Sequence, residues 1–299
     1  MKFGKVENPE LIDFILPPDH PTNTTVLGGN ESKCNVFIGC AKWNRQDLKG
    51  FYPRGTKDEL TYYATQFNSI ELNATFYRIF PNSTVENWYH KATPDFKFFP
   101  KIPQSISQFK RLKNCDADVN AYLDSISNLQ EKLGTIFLQM HPTFAPKSFD
   151  VLTQFIQAWP KGFPLAIELR HTDWYNDKVV ANDLYQLFEE NNVSNIIVDT
   201  AGRRDLLHMK LTNKDAFVRY NGANHQSDYS RLDEWFERIK IWMDKGLENL
   251  YFFVHQNIEQ ASPLLSKYFI EKFNNELGYN LLVPNFPEPK KGGNNLTLF

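Results

Sequence analysis

Between residues 35 and 274 the chain repeats one unit. An apolar run too short for a helix ends on a charged or hydrogen-bonding side chain, and a longer stretch with helical periodicity follows. The runs cover residues 36–40, 69–72, 96–101, 135–139, 165–169, 195–198, 216–220 and 250–254. Short apolar runs of this kind read as strands buried on both faces, as in a parallel sheet covered by helices. Helices are predicted near 57–66, 84–91, 117–132, 149–158, 179–190, 232–243 and 263–274, while the stretch 201–210 after the sixth strand reads as irregular. Eight βα units in a chain of 299 residues predict an α/β fold of the (β/α)8 TIM-barrel type. An open doubly wound sheet is the competitor. It fits less well, because Gly39-Cys40-Ala41-Lys42-Trp43 after the first strand has the spacing of neither nucleotide-binding glycine motif.

The ends of the chain read differently. Residues 1–34 carry Pro17-Pro18, Pro21 and Gly28-Gly29 and are expected to be an N-terminal extension laid on a barrel domain of residues 35–283. Residues 284–299, with three prolines and Gly292-Gly293, read as a flexible C-terminal arm. The arm ends in Asn295-Leu296-Thr297-Leu298-Phe299, which resembles the peptides by which bacterial DNA-processing proteins dock on the sliding clamp. The alternative is that Leu298 and Phe299 fold back onto the domain.

Composition narrows the class. A net charge of −2 gives no global basic field for nucleic acid or membrane. Cys34, Cys40 and Cys115 are odd in number and widely spaced, which argues against a disulfide framework or a zinc knuckle and for a reducing cytoplasm. No apolar run approaches the ~20 residues of a membrane span, and Met1-Lys2-Phe3-Gly4-Lys5 does not begin a secretory signal. A cytoplasmic protein with no membrane partner is expected.

In a barrel the strand ends meet at one mouth, so separation in sequence does not separate side chains in space. The expected ring is Cys40, Glu71, Asn73, Lys101, Gln139, His141, Glu168, Arg170, His171, Asp199, Arg219, Asn221, His255 and Asn257. Two readings follow. Glu71 and Glu168 form the acid/base pair of a hydrolase- or lyase-like enzyme, with Trp43, Phe51, Tyr52, Phe76 and Tyr77 as a platform for a sugar face or a base. Alternatively Glu71, Glu168, Asp199 and one or more of His141, His171 and His255 ligate a divalent metal, as in barrels of isomerase or phosphodiesterase type. Lys101, Arg170 and Arg219 tilt the choice toward an anionic ligand without metal or other cofactor. A bland arrangement, with the carboxylates merely ion-paired to these cations, competes with both. A Cys40–His255 nucleophilic pair is geometrically allowed, but a buried free cysteine is more often a small apolar filler.

The same residues carry a resemblance. Phe37-Ile38-Gly39-Cys40-Ala41-Lys42-Trp43, Phe51-Tyr52-Pro53, the run from Phe67 through Glu71 to Tyr77, Phe98-Phe99-Pro100-Lys101, Ile167-Glu168-Leu169-Arg170-His171, Asp199-Thr200 and Val218-Arg219-Tyr220-Asn221-Gly222 succeed one another as in the domain of unknown function 72 family, a group of TIM-barrel proteins. The resemblance implies the barrel; the family's activity is not established. His141 stands where that family commonly has proline, and Asn221 where it commonly has histidine.

The expectation is therefore an enzyme acting on a phosphorylated or sugar-containing small molecule. Glu71 and Glu168 would be catalytic, with Asn73, Tyr77, Lys101, Gln139, Arg170, His171, Asp199, Arg219, Asn221 and His255 binding substrate. The alternatives are a metal-dependent enzyme or a non-catalytic DNA-maintenance accessory protein docking through its C-terminal Leu-Thr-Leu-Phe.

Overall fold

A computed structural model describes residues 4–29 and 33–287. A short helix α1 (Asn23–Leu27) lies in the N-terminal extension. The alternation then runs β1 (Asn35–Cys40), α2 (Glu59–Ala64), β2 (Ser69–Leu72), α3 (Ala74–Tyr77), α4 (Asn82–Lys91), β3 (Lys97–Pro100), α5 (Asp116–Ser127), β4 (Ile136–Gln139), α6 (Phe149–Ala158) and β5 (Leu165–Glu168). It continues with α7 (Asp173–Asn176), α8 (Lys178–Glu190), β6 (Ser194–Asn195), β7 (Ile197–Thr200), β8 (Asp215–Gly222), α9 (Ser227–Asp244), β9 (Asn249–Gln256) and α10 (Ser262–Leu277).

Every strand pair is parallel. One sheet has the order β1-β9-β8-β7, a second pairs β2 with β3, and a third has the order β4-β5-β6. Contacts link the sheets. Parallel bridges join Phe98 to Leu133 and Lys101 to Phe137, and the Asn68 amide spans from Val36 O (2.8 Å) to Ile38 N (3.1 Å). Gly39 is required where β1 passes β2, because a Cβ there would lie 2.2 Å from Ser69 O.

The predicted sixth strand is broken at Ile196: β6 pairs with β5 and β7 with β8, so the chain changes partner at that residue. Strand alternation sorts the apolar side chains. Ile70, Phe98, Leu138, Ile167, Val218 and Phe252 pack toward the helices. The other parity forms one inner cluster of Phe99, Phe137, Ala166, Ile196, Val198, Phe217, Tyr251 and Phe253, with Phe37 against it, drawn from all three sheets.

No α-helix separates β7 from β8; a 3-10 turn (Ala201–Leu206) stands there instead. The N-terminal extension fills the vacant place. Gly4 O accepts from Gly202 N (3.2 Å) at one end, and Gly29 N donates to Lys245 O (2.9 Å) at the other. Between them Leu16 and Leu27 are buried in the main core, and Asn23 is bound through both ends of its amide, to Met209 O (2.7 Å) and Leu211 N (3.0 Å). At the C-terminal side Asn285 N donates to Gln66 Oε1 (2.8 Å) and Phe286 packs 5.6 Å from Phe51. Leu296-Thr297-Leu298-Phe299 lies outside the described residues. Among the described residues no helix is long and apolar enough to cross a membrane.

Candidate functional site

Alternation also decides which polar side chains meet. On β8, Val218 and Tyr220 pack against the helix layer, which turns Arg219 to the inner side. By the same parity Glu71 on β2, Lys101 after β3, Gln139 on β4, Glu168 on β5 and His255 on β9 turn inward at the C-terminal ends of their strands. Lys101, Gln139, Arg219 and both glutamates are buried.

Arg219 is the hub. Its Nε and Nη2 bind the two oxygens of Glu71, each at 2.8 Å, while Nη1 binds Glu168 Oε2. Glu71 also accepts from Asn73 Nδ2 (2.7 Å) and lies 3.1 Å from His255 Nε2. Glu168 accepts from Arg170 Nε and from Gln139 Nε2 (2.9 Å). With Gln139 donating to that carboxylate, its Oε1 faces Lys101 Nζ and accepts at 2.9 Å. The Lys101 ammonium also sits 4.2 Å above the Phe76 ring. Bidentate guanidinium–carboxylate pairing in a water-poor setting is geometrically rigid, and each carboxylate oxygen already has a donor.

The charge states follow. Burial alone would raise the Glu71 and Glu168 carboxyls. Arg219 with His255 outweighs it at Glu71, held well below the usual range, and Arg170 with Arg219 holds Glu168 at about 2. At Lys101 burial and the nearby Arg219 push the amine down to about 7. At His255 burial opposes charge, yet Glu71 and Glu259, whose Oε1 lies 3.8 Å from Nδ1, lift the imidazole to about 9. The floor of the site is thus permanently ionised, and Lys101 exchanges its proton near neutrality.

His255 has a testable sign. Its folded value lies above its unfolded one, so its contribution is complete below pH ~6.5 and lost as pH rises through about 9. Lys101, with a depressed folded value, acts oppositely: its penalty is relieved between about 7 and its unfolded value. The two slopes overlap, so wild type alone does not separate them. The difference in urea stability between wild type and His255→Gln is expected to shrink by about 3 kcal/mol from pH 6 to pH 10. A constant difference would contradict the ion pair.

The remaining sequence candidates are placed elsewhere. Asp199 faces the opposite side, where it accepts from Trp235 Nε1 (2.7 Å), Arg204 and Arg231 (2.9 Å). Its odd parity against Val198 puts it under α9, so it is not a substrate ligand in this arrangement. Cys40 is likewise turned outward, 3.6 Å from Ser266 Oγ, with burial raising its thiol to about 12; this corrects the Cys40–His255 pair. The aromatic platform divides: Phe51 and Tyr52 are buried, Trp43 packs edge-on to Trp88 and Phe98, and Phe76 alone meets the cluster. Tyr77 is 70% exposed beside Phe76. His171 (near Asp173, 3.6 Å) and His141 (Nδ1 to Thr143 Oγ1, 2.9 Å) serve local turns. Asn221 stands across from His255 in register, with its carbonyl accepting from Arg231 Nη2 (3.3 Å), and Asn257 is exposed. Sequence reasoning missed Glu259 and Gln108, whose Nε2 holds Gln139 O at 2.7 Å. Only the spacing of Glu259 four residues past His255 offered a signal. Among the described residues no group of three or more His, Cys, Asp or Glu side chains is arranged to hold a metal.

Comparison with known proteins places this geometry. The family model described as protein of unknown function DUF72 matches residues 37–290. The chain is similar to the UPF0759 protein YecE of Escherichia coli strain K12, with 26% identity over 77% of this chain and 90% of that protein. It is also similar to the UPF0759 protein YunF of Bacillus subtilis strain 168, with 24% identity over 64% of this chain and 71% of that one. Crystal structures of DUF72 family proteins share the fold. One from Enterococcus faecalis V583 superposes with a TM-score of 0.66 at 20% identity, covering 81% of this chain and 98% of the other. One from Thermotoga maritima MSB8 gives 0.66 at 21% identity, covering 81% and 100%.

Proposed function

Because this chain belongs to the family described as protein of unknown function DUF72, whose description assigns no chemistry, we propose from its own residues that it binds and transforms a small phosphorylated or sugar-containing molecule at the C-terminal ends of its strands, in a lyase- or hydrolase-like reaction. The three sheets are read as arcs of one closed (β/α)8 barrel. The bridges between β3 and β4, the Asn68 link between β1 and β2, and a single inner apolar cluster support that reading.

The observation that carries the site is Lys101. The residue is 7% exposed, and among the described residues it makes no ion pair, because the carboxylate oxygens nearby are already taken by arginines, Asn73, His255 and Gln139. A buried cation without a counter-charge, beside two guanidiniums, favours an anionic group from outside. Lys101 and Arg170 would receive the phosphate, while Asn73 and Gln139 orient the ligand. Glu71 and Glu168, held ionised with every oxygen hydrogen-bonded, fix Arg219 in place rather than exchange protons; His255 is the charged acid beside them.

Calorimetric titration with ribose 5-phosphate, ribose and inorganic phosphate tests this. The phosphorylated sugar is expected to bind, unphosphorylated ribose to bind at least tenfold more weakly, and Lys101→Met to weaken ribose 5-phosphate binding by on the order of tenfold, as loss of a charge-assisted hydrogen bond does. Equal binding of ribose and its phosphate, or no effect of Lys101→Met, would overturn the anion site.

A further inference from the structure

We propose that Lys101 Nζ is a covalent centre, condensing with the carbonyl carbon of a phosphorylated aldehyde or ketone to form an imine. The proposal rests on the anion-site reading above: once the phosphate that Lys101 and Arg170 attract is held by Arg170, Lys101 Nζ is released to the carbonyl carbon.

The geometry is that of an amine kept unneutralised by design of its neighbours. Glu71 Oε1 is claimed by Arg219 Nη2 and Asn73 Nδ2, and Oε2 by Arg219 Nε. Glu168 Oε1 is claimed by Arg170 Nε, and Oε2 by Arg219 Nη1 and Gln139 Nε2. The Gln139 amide is thereby oriented: a carboxylate only accepts, so Nε2 must face Glu168 and Oε1 must face Lys101. Lys101 therefore meets a neutral carbonyl oxygen where a carboxylate would have locked it as an ammonium. Phe76, with its ring 4.2 Å away, excludes water from one side. Burial and Arg219, with Arg170, outweigh the opposing pull of Glu168 and Glu71 and favour the neutral, nucleophilic amine near pH 7.

The step balances without oxidant or metal. The nitrogen lone pair adds to the carbonyl carbon, and the C=O π pair moves to oxygen, which takes one of the two nitrogen protons to give a neutral carbinolamine. The carbinolamine hydroxyl leaves as water while nitrogen loses its proton, so amine and carbonyl become imine and water. The protonated imine then withdraws electrons from the neighbouring carbon, as a lyase requires.

Pyridoxal 5′-phosphate, an aldehyde that carries a phosphate, is the probe. After brief exposure at pH 7 and reduction with borohydride, peptide mapping is expected to show one phosphopyridoxyl group, on Lys101, formed on the order of a hundredfold faster than on exposed lysines, since these are almost wholly protonated at that pH. Unphosphorylated pyridoxal should label Lys101 poorly, and inorganic phosphate should protect it. Lys101→Arg keeps the positive charge and should lose the adduct with an unchanged circular dichroism spectrum. Labelling with no preference for Lys101 would overturn the proposal. Glycerol 3-phosphate, which has no carbonyl, separates the two levels: if it binds while Lys101 is not labelled, the anion site stands and the imine falls, and if neither occurs, both fall.

Discussion

Replacing Arg219 with methionine is expected to cost about 3–5 kcal/mol of stability at pH 7, read as a drop in the urea midpoint at unchanged slope. The guanidinium is buried between Glu71 and Glu168 and supplies three of their hydrogen bonds. Methionine fills similar space but leaves two carboxylates facing each other, with only Asn73 and His255 at one and Arg170 and Gln139 at the other. The penalty therefore comes from unpaired buried charge, and two controls show it. Arg219→Met combined with Glu71→Gln and Glu168→Gln should recover most of the loss, because amides do not repel as carboxylates do. The gap between wild type and Arg219→Met should also narrow in acid. Both carboxyls are depressed in the folded protein, so their contribution is present above pH ~4.3 and is lost as pH falls through their folded values. A cost under about 1 kcal/mol, or a triple variant no better than the single one, would mean that water reaches the cluster and screens it.

How much of this was legible in the sequence depends on which physical rule was at work. Strands and helices were legible because burial on both faces leaves uninterrupted apolar runs, and β2 and α6 fall on their predicted bounds. Glu71, Lys101, Gln139, Glu168, Arg219 and His255 were legible as polar ends of such runs. Parity within a strand end separates these residues further: Arg219 and His255 share the parity of the inner residues Phe217 and Phe253 on their strands, and Glu71 alternates with the outward Ile70 and Leu72, whereas Cys40 and Asp199 alternate the other way. Aromatic residues after the first and second strands gave no sign of which would meet the polar cluster, since Phe51, Tyr52 and Phe76 differ in their neighbours rather than in composition. The break at Ile196 was hidden, because an apolar run does not record which neighbour it pairs with. Hidden too was the fate of the proline-punctuated start, because a segment without periodicity can still satisfy its backbone against another element.

That segment carries the other large expected effect. A chain beginning at Cys34 should fail to show a single cooperative unfolding transition, while Leu27→Ala in the full chain should cost about 2–5 kcal/mol, as deletion of a buried leucine side chain does. Residues 4–29 occupy the place where the layer lacks a helix after β7, so removing them uncovers side chains that the rest of the fold cannot bury. Arg238 Nη1 would lose Pro17 O (2.9 Å) and Asp19 (2.8 Å), Trp242 Nε1 would lose Asp19 (3.1 Å), and Arg204 Nη2 would lose the carbonyls of Phe14 and Ile15, both at 2.9 Å. Phe14, whose ring lies 4.2 Å from the Arg231 guanidinium, shields the buried network in which Arg231 binds Asp199 (2.9 Å) and Asp228 (3.0 Å). Water entering there would weaken the pairing that holds the end of β7 to α9, and β7 is the register partner of β8, which carries Arg219. The effect should therefore reach the candidate site. In hydrogen exchange the truncated chain should lose protection first along β7 and β8, and later on β4 and β5, which lie in a different sheet. If the shortened chain instead unfolds cooperatively at the wild-type midpoint, the extension is an appendage, and the vacancy after β7 must be closed by the 3-10 turn alone.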